Sequence, residues 1–139
     1  QAEDGIRDCW LWLEFRRVLF RSDQYMSLDF FPLSNKSKLE IDVDATFSNS
    51  ALATLTGALF QDSTANALRA KTAGYIPSGG ATLNNYFKHI MNTNVNANTL
   101  TTFKVRAGGN VAGTTYFNGN GSGLFNGTCF SSIVIKEFI

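Results

Sequence analysis

The sequence predicts an all-β fold, a sandwich or barrel of about eight short antiparallel strands with Greek-key connections. Three observations lead to this prediction. Apolar and polar residues alternate strictly over Lys38–Phe47. Several shorter segments of similar character are separated by clusters of Asn, Gly, Ser and Thr, residue types that are common in turns. No segment carries the periodicity of a long helix, so the chain is best described as short strands between turns.

Lys38–Phe47 is the clearest predicted strand. Its apolar residues are Leu39, Ile41, Val43, Ala45 and Phe47, and its polar residues are Lys38, Glu40, Asp42, Asp44 and Thr46. Because successive side chains of a strand point to opposite faces, this pattern gives one core face and one charged, solvated face. A row of carboxylates on such a face is usually only its solvated side, so we expect no metal site there.

The other predicted strands are shorter alternations bounded by turns. In order, they are Tyr25–Leu33, Ala53–Asp62, Ala65–Ile76, Thr82–Asn92, Thr99–Ala107, Thr114–Phe117 and Ser131–Phe138. Ala65–Ile76 also has helical propensity, but its strand-rich neighbours favour an extended segment. Gly57 within a strand indicates a bulge or a close neighbour. Gly108–Gly113 is predicted to be a hairpin turn, because it lacks the Lys-Ser/Thr ending of a phosphate-binding loop.

Two blocks at the N-terminus resemble a translated adaptor from short-read sequencing libraries. Gln1–Asp8 (QAEDGIRD) and Glu14–Ser22 (EFRRVLFRS) match its two ends in register, and Cys9, Trp10 and part of Leu11 take the place of the variable index. Trp12 would then be a stop codon read as tryptophan. A genuine amphipathic N-terminus is the alternative. We interpret residues 1–22 as an artefact outside the fold and residues 23–139 as one domain, which leaves open a longer natural protein of which this is the C-terminal part.

Setting residues 1–22 aside changes the composition that bears on function. Both tryptophans and Cys9 are removed, so Cys129 has no partner for a disulfide. Residues 23–139 hold eight Lys or Arg and seven Asp or Glu, without the basic patch of a nucleic-acid-binding protein. No apolar run approaches the ~20 residues of a membrane-spanning helix. We therefore expect neither binding to nucleic acid nor insertion into a membrane.

Few residues could carry catalysis. His89 is the only histidine, and it falls within a predicted strand, where a partly exposed structural residue is the favoured interpretation. A nucleophilic triad would need this histidine together with Cys129 or a serine, yet no nucleophile-elbow pattern surrounds any serine. Cys129 is interpreted as a small buried apolar residue. The sequence predicts a protein that is not an enzyme and uses no cofactor or metal.

Six segments in order span nearly all of Tyr25–Ile139 and carry a family resemblance. They are Phe31–Ile41, Leu59–Leu68 (LFQDSTANAL), Thr101–Gly108 (TTFKVRAG), Ala112–Gly119 (AGTTYFNG), Leu124–Gly127 (LFNG) and Ser131–Glu137 (SSIVIKE). They are similar to the C-terminal domain of tailed-phage virion proteins of the tail-fibre or receptor-facing type. The sequence departs from the family pattern at Val134, where a polar residue is more usual, and at Cys129-Phe130, which replaces smaller residues.

This resemblance implies both a fold and a function. The implied fold is an antiparallel jelly-roll sandwich of about eight strands, like that of tumour-necrosis-factor-type domains, assembled as a homotrimer on the virion surface. The implied function is a non-enzymatic structural and receptor-binding module. Its partner would be a host cell-surface glycan or protein, and the family has no catalytic motif to carry over.

Two groups of residues are candidates for these contacts. Apolar residues on both faces of a strand need a second partner, often another subunit. Tyr116, Val134 and Phe138 are therefore candidate interface residues. The polar loops Asn92–Asn98 and Asn118–Gly127 are candidate host-contact loops. Their candidate asparagines are Asn92, Asn94, Asn96, Asn98, Asn118, Asn120 and Asn126.

An alternative function is a carbohydrate-binding β-sandwich module of a bacterial surface or secreted protein. Such modules usually stack sugars on a planar aromatic platform. Because both tryptophans belong to the adaptor-like segment, only Tyr75 and Tyr116 would remain for that role.

Overall fold

A computed structural model of the protein describes residues 23–76, 81–120 and 130–139. Within these ranges the regular elements are β-strands, and there is no helix that could cross a membrane. The strands are β1 (Asp23–Phe30), β2 (Lys38–Asn49), β3 (Thr54–Gln61), β4 (Arg69–Tyr75), β5 (Thr82–Asn92), β6 (Thr101–Gly109), β7 (Thr115–Phe117) and β8 (Ser132–Phe138). The first sheet has the order β1-β6-β3-β4, and in the second sheet β2 lies between β5 and the pair β7 and β8. The predicted antiparallel β-sandwich of eight strands is confirmed.

β2 is the central strand of the second sheet. Its alternate residues are at most 2 % exposed, as the alternation in the sequence predicts: Leu39, Ile41, Val43, Ala45 and Phe47. β5 pairs with β2 from Lys38 to Ser48, while β8 and β7 share the opposite edge. β2 is therefore hydrogen-bonded along both edges and buried on one face.

β7 and β8 lie end to end along one edge of β2. β7 pairs with the C-terminal end of β2, and β8 pairs with its N-terminal half. Between them, the Thr46 carbonyl accepts a hydrogen bond from the Asn118 amide (3.0 Å), and the Thr46 amide donates to the Ser131 hydroxyl (3.0 Å). The Ser131 hydroxyl in turn donates to the Asn118 side chain. β7 and β8 are thus one interrupted strand, and the interruption lies opposite Thr46.

The first sheet covers β2 with β6 and β3. The core-facing residues of β6 are at most 1 % exposed and join the same apolar cluster as β2: Phe103, Val105 and Ala107. β3 is buried on both faces, because its outward Ala58 and Phe60 pack against Ala67 and Ala70. The connection from β3 to β4 and β4 itself therefore cover the outer side of the first sheet.

The predicted strand positions agree with the structure apart from small shifts at their ends. The segment with helical propensity is extended only from Arg69, because residues 62–68 turn back and the Leu68 amide donates to the Leu59 carbonyl (2.7 Å). The predicted hairpin at Gly108–Gly113 is wrong, because β6 and β7 belong to different sheets and the segment crosses between them.

The strand order is that of a jelly roll with one position unfilled. In an eight-strand jelly roll, one sheet has the order second, seventh, fourth, fifth, and the other has the order first, eighth, third, sixth. With β1 as the second strand, the first sheet is complete. The second sheet supplies the eighth strand (β7 with β8), the third (β2) and the sixth (β5). Among the described residues, none occupies the position of the first strand beside β8.

Side-chain hydrogen bonds close the side of the sandwich where β4 faces β5. The buried Asn85 side chain donates to the Lys71 carbonyl (2.8 Å), and the Lys71 ammonium donates to the Tyr86 carbonyl (2.6 Å). Asn85 also explains the glycine on β3, since a Cβ added to Gly57 would lie 2.8 Å from Asn85 Nδ2. The close neighbour predicted at Gly57 is therefore a buried amide that ties the two sheets together.

Gly57→Ala is expected to lower the free energy of unfolding by about 1–3 kcal/mol, a usual cost of overpacking, because the new methyl group meets the Asn85 side chain. Urea denaturation measures this loss. In a double-mutant cycle, Asn85→Ala removes the hydrogen bond but makes room, so the double variant should lose less than the sum of the single losses. Additive losses would contradict the steric explanation.

Candidate functional site

The loop that follows Asn92 and the segment that begins at Asn118 are attached to opposite ends of the sandwich. The Thr93 amide donates to the Ser37 carbonyl, just before β2 (2.8 Å), whereas the Asn118 amide donates to Thr46 (3.0 Å). Ser37 and Thr46 are nine positions apart on extended chain, which is about 30 Å. The asparagines of Asn92–Asn98 and Asn118 therefore cannot form a single site. We call the end formed by loops 31–37, 62–68 and 93–100 the Asn94 end, and the opposite end the Asn118 end.

At the Asn94 end, one candidate asparagine is tied to the core and the others are exposed. Asn94 exchanges two side-chain hydrogen bonds with the buried Gln61 (2.7 and 3.0 Å), and Gln61 also donates to the Thr101 hydroxyl (3.0 Å). Asn98 has a left-handed backbone (φ 58°), and its amide donates to the Pro32 carbonyl. Asn92, Asn96 and Asn98 remain available for contact with a partner.

A pocket of about 270 Å³ adjoins this network on the outer face of the first sheet. Its lining residues come from the end of β3, the turn that follows and β6: Phe60, Asp62, Ser63, Thr64, Ala65, Lys104 and Arg106. β6 supplies the two cations because its alternate residues point outward, on the face opposite Phe103 and Val105. The pocket therefore combines two positive charges and one carboxylate with hydroxyl groups and one aromatic ring.

The charges of this pocket are not paired with each other. The Asp62 carboxylate accepts hydrogen bonds from the Thr101 hydroxyl (3.0 Å) and the Thr102 amide (2.7 Å), and Lys104 donates to the Asp62 backbone carbonyl (2.9 Å). The Arg106 guanidinium carbon lies 5.2 Å from the centre of the Phe60 ring. Arg106 Nε is buried without a hydrogen-bond partner among the described residues. An oxyanion is the ligand that would satisfy such a group.

Sequence reasoning did not find this pocket. Lys104 and Arg106 stood inside the TTFKVRAG segment, where their alternation with Phe103 and Val105 indicated only a solvated strand face. The turn that brings Asp62–Ala65 over these cations depends on the left-handed backbone of Asp62 (φ 51°). A signal was present in the two cations at alternate positions, but nothing in the sequence placed Phe60 beneath them.

At the Asn118 end, one of the three candidate asparagines, Asn118, has a structural role. Asn118 has a left-handed backbone (φ 55°) and accepts a hydrogen bond from Ser131 at the interruption between β7 and β8. Asn120 is partly buried, and Asn126 lies outside the described residues, as does Cys129. The neighbouring crossing between β6 and β7 is fixed by Asn110, which receives a hydrogen bond from the Thr54 amide (2.8 Å).

The outer face of the second sheet carries apolar residues on its two flanks and ion pairs along its centre. Val134 and Phe138 of β8 are 45 % and 54 % exposed, and Tyr86 and Ile90 of β5 are exposed on the opposite flank. Tyr116, the third candidate interface residue, is half-buried on β7. The structure therefore places Val134 and Phe138 on one exposed strip of β8.

Lysines from both neighbouring strands engage the carboxylates at the centre of this face. Glu40 lies 2.9 Å from the Lys88 ammonium and 3.0 Å from that of Lys136, and Asp42 is within 3.6 Å of both lysines. Hydrogen bonds from Lys88 and Lys136 lower the pKa of Glu40. The row of carboxylates on β2 thus lies on the outer face, as the sequence predicts, and the structure adds the ion pairs that partly cover Glu40 and Asp42.

His89 lies on β5, on the same face as the buried Phe87, and is half-buried. Burial lowers its pKa, as does the positive charge of Arg69. In the described parts of the chain, no three His, Cys, Asp or Glu side chains come together as metal ligands would.

Comparisons with known proteins give only distant structural matches. No protein-family model matches the chain, and no curated protein matches it. Two solved structures of infectious bursal disease virus match 69 % of the chain, the VP2 subviral particle with 15 % identity (TM-score 0.41) and the Gx strain with 13 % identity (TM-score 0.42). The enzymatically active domain of bacteriophage CBA120 tailspike protein 4 matches 81 % of the chain with 11 % identity (TM-score 0.36).

The chain spans only 27 % and 25 % of the two bursal disease virus chains and 13 % of the tailspike chain. With TM-scores below 0.5, these matches do not establish a shared function. The function proposed below therefore depends on this chain's own residues and fold.

Glu137 fastens the C-terminal strand to the Asn94 end. Its carboxylate accepts hydrogen bonds from the Leu33 amide (2.9 and 3.1 Å) and the Ser34 amide (3.3 Å). Burial raises the pKa of Glu137, but hydrogen bonds from Ser37, Leu33 and Ser34 outweigh it, so the net pKa is lowered. The charged form is therefore the one that holds the connection between β1 and β2 against β8.

Glu137→Gln is expected to weaken the acid dependence of stability. Because the folded-state pKa is below the ordinary value of 4.5, the stabilisation is fully present above about pH 5 and is lost as the pH falls through the folded-state pKa. Melting temperatures between pH 7 and pH 3 should fall more steeply for the unmodified protein than for the variant. Asp23→Asn makes the same charge change at the exposed start of β1 and serves as the charge control, and equal slopes for all three proteins would contradict this role.

Proposed function

We propose that this protein is a non-enzymatic structural and receptor-binding module of a phage virion, a tail-fibre tip or similar part, that assembles as a homotrimer on the particle surface. Its partner would be a glycan or protein of the host cell surface. The proposal includes no catalytic step and no cofactor.

The observation that carries this proposal is where the family-like segments fall in the fold. TTFKVRAG is β6, at the centre of the first sheet, and SSIVIKE forms most of β8, beside the central strand of the second sheet. LFQDSTANAL is the end of β3 and the turn over the pocket. These segments therefore include central strands of the jelly roll and the cation-lined pocket described above. A family defined by its fold and by surface recognition would have both features.

The Asn94 end is the surface best suited to host contact. It presents the exposed Asn92, Asn96 and Asn98 beside the pocket of Lys104 and Arg106. Side-chain amides and hydroxyls form hydrogen bonds with the hydroxyl groups of a sugar. Cations that have no ion-pair partner bind a carboxylate or phosphate substituent. An acidic surface glycan is therefore the receptor class that this end would take.

Arg106→Gln is expected to weaken binding to acidic bacterial surface polysaccharide by roughly 10- to 100-fold, the equivalent of one charge-assisted hydrogen bond of about 1.5–3 kcal/mol. Biolayer interferometry with purified polysaccharides measures this loss. Lys88→Gln removes an equal charge from the outer face of the second sheet, away from the pocket and the Asn94 end, and should change binding little. Equal losses for both variants would indicate nonspecific charge attraction, and no binding by the unmodified protein to glycan arrays or cells would reduce the proposal to a structural virion role.

The strip of Val134 and Phe138 is the proposed subunit interface. Val134→Lys is expected to convert the trimer to a monomer, because a charge would be buried against a neighbouring subunit. Light scattering at micromolar concentration gives the mass. Leu52→Lys, at a similarly exposed apolar residue between β2 and β3, should leave the mass unchanged, and a monomeric mass for the unmodified protein would contradict the proposed trimer.

A carbohydrate-binding module of a bacterial surface or secreted protein is the second candidate. Tyr75 at the end of β4 is 59 % exposed, but the half-buried Tyr116 lies on the other sheet. The two rings therefore form no common platform for a sugar. The polar Asn94 end supports glycan binding in either case, so the genes that neighbour this one on its source DNA are the observation that separates the two candidates.

A further inference from the structure

The outer edge of β8 has no strand partner within the described part of the chain. β8 pairs with β2 along one edge only. Every second amide and carbonyl of β8 therefore points away from β2, in an arrangement that accepts a further strand. Natural sheets usually cover or disrupt such an edge. β8 carries one lysine, Lys136, but it has no proline and no bulge in its pairing with β2.

The apolar interior is also uncovered beside this edge. Ile133 and Ile135 of β8 are only half-buried, although their register partners on β2, Val43 and Ile41, are 0 % exposed. On the facing strand β1, Leu28 is 36 % exposed, while its partner Phe103 is fully buried. The core thus lacks its cover along the β1–β8 side, and one more strand next to β8 would supply it.

The unfilled position in the strand order falls at the same place. Counted as a jelly roll, the sandwich has its second to eighth strands, and the first strand would lie beside the eighth, which is β7 with β8. The free edge of β8 and the unfilled position in the strand order coincide with the exposed apolar residues, and together they indicate one strand at this edge.

The direction of the chain fits a strand that comes just before β1. The Tyr25 hydroxyl, near the start of β1, donates to the carbonyl of Thr115, the first residue of β7 (3.2 Å). A strand antiparallel to β7 and β8 would run from the Phe138 end to the Thr115 end and finish beside Tyr25. Polypeptide leading into Asp23 therefore arrives at the correct end of the free edge and in the correct direction.

We propose that the natural polypeptide immediately before Asp23 forms an antiparallel strand on the free edge of β8 and completes the jelly roll. In the sequence as it stands, the residues that come immediately before Asp23 are Glu14–Ser22, which resemble adaptor sequence. The required strand has alternating residues, with one apolar face toward Leu28, Ile133 and Ile135. This proposal is independent of the proposed function.

The test replaces residues 1–22 with a designed strand of alternating Val and Thr, followed by a short Gly/Asn/Ser-rich connection to Asp23. The matched control has the same residues in an order that abolishes the alternation. Hydrogen exchange measured by NMR reports each β8 amide. The amides that point away from β2 should exchange more slowly in the designed chain by on the order of tenfold or more, and the control should match the unmodified protein.

Three results would overturn the proposal. Equal protection by the designed and control strands would show that β8 does not select an alternating strand. Slow exchange of these amides in the unmodified protein would show that the edge is already covered, and if that protection depended on protein concentration, the occupant would be a second copy. If the designed chain fails to fold, the same strand is added as a labelled peptide to the unmodified protein, and its binding is measured by fluorescence anisotropy. Binding that is not saturable, or no stronger than that of the scrambled peptide, would equally contradict the proposal.

Discussion

The burial of one face of β2 is the constraint on which the rest of the structure depends. Its five alternate apolar residues stand opposite the core-facing residues of β6 and are excluded from water. A strand of twelve residues that buries a whole face fixes its own register, because a shift by one position would expose that face and bury the carboxylates of Glu40 and Asp42. The strands that pair with the two edges of β2, β5 on one side and β7 with β8 on the other, are aligned by that register.

The same register organises the less regular parts of the molecule. Since β7 and β8 both pair with β2, the interruption between them lies opposite Thr46, where Asn118 and Ser131 hydrogen-bond to its backbone and to each other. The other long side of the sandwich is held by the Asn85 amide across the sheets. Polar side chains thus close β4 against β5, while the side between β1 and β8 depends on fewer contacts and exposes core residues.

The surfaces proposed for recognition and assembly occupy different parts of this framework. The cation-lined pocket belongs to the outer face of the first sheet, and the apolar strip of β8 belongs to the outer face of the second. Glu137 links the C-terminal strand to the loops of the Asn94 end. A jelly roll can present both surfaces at once because strand alternation sends every second side chain outward, whichever sheet it belongs to.

The fold class and nearly all strand positions follow from local patterns of the chain, because the alternation over Lys38–Phe47 and the turn clusters depend only on residues close together in sequence. Alternation also indicates that Val134 and Phe138 point away from Ile133 and Ile135. The tertiary structure alone decided which strands are neighbours, and so turned the expected hairpin at Gly108–Gly113 into a crossing between sheets. It also separated the two groups of asparagines by about 30 Å and brought Phe60, Lys104 and Arg106 into one pocket. Pairing partners are distant in sequence, and the free energy that selects them comes from burying the whole core, so no local pattern records them.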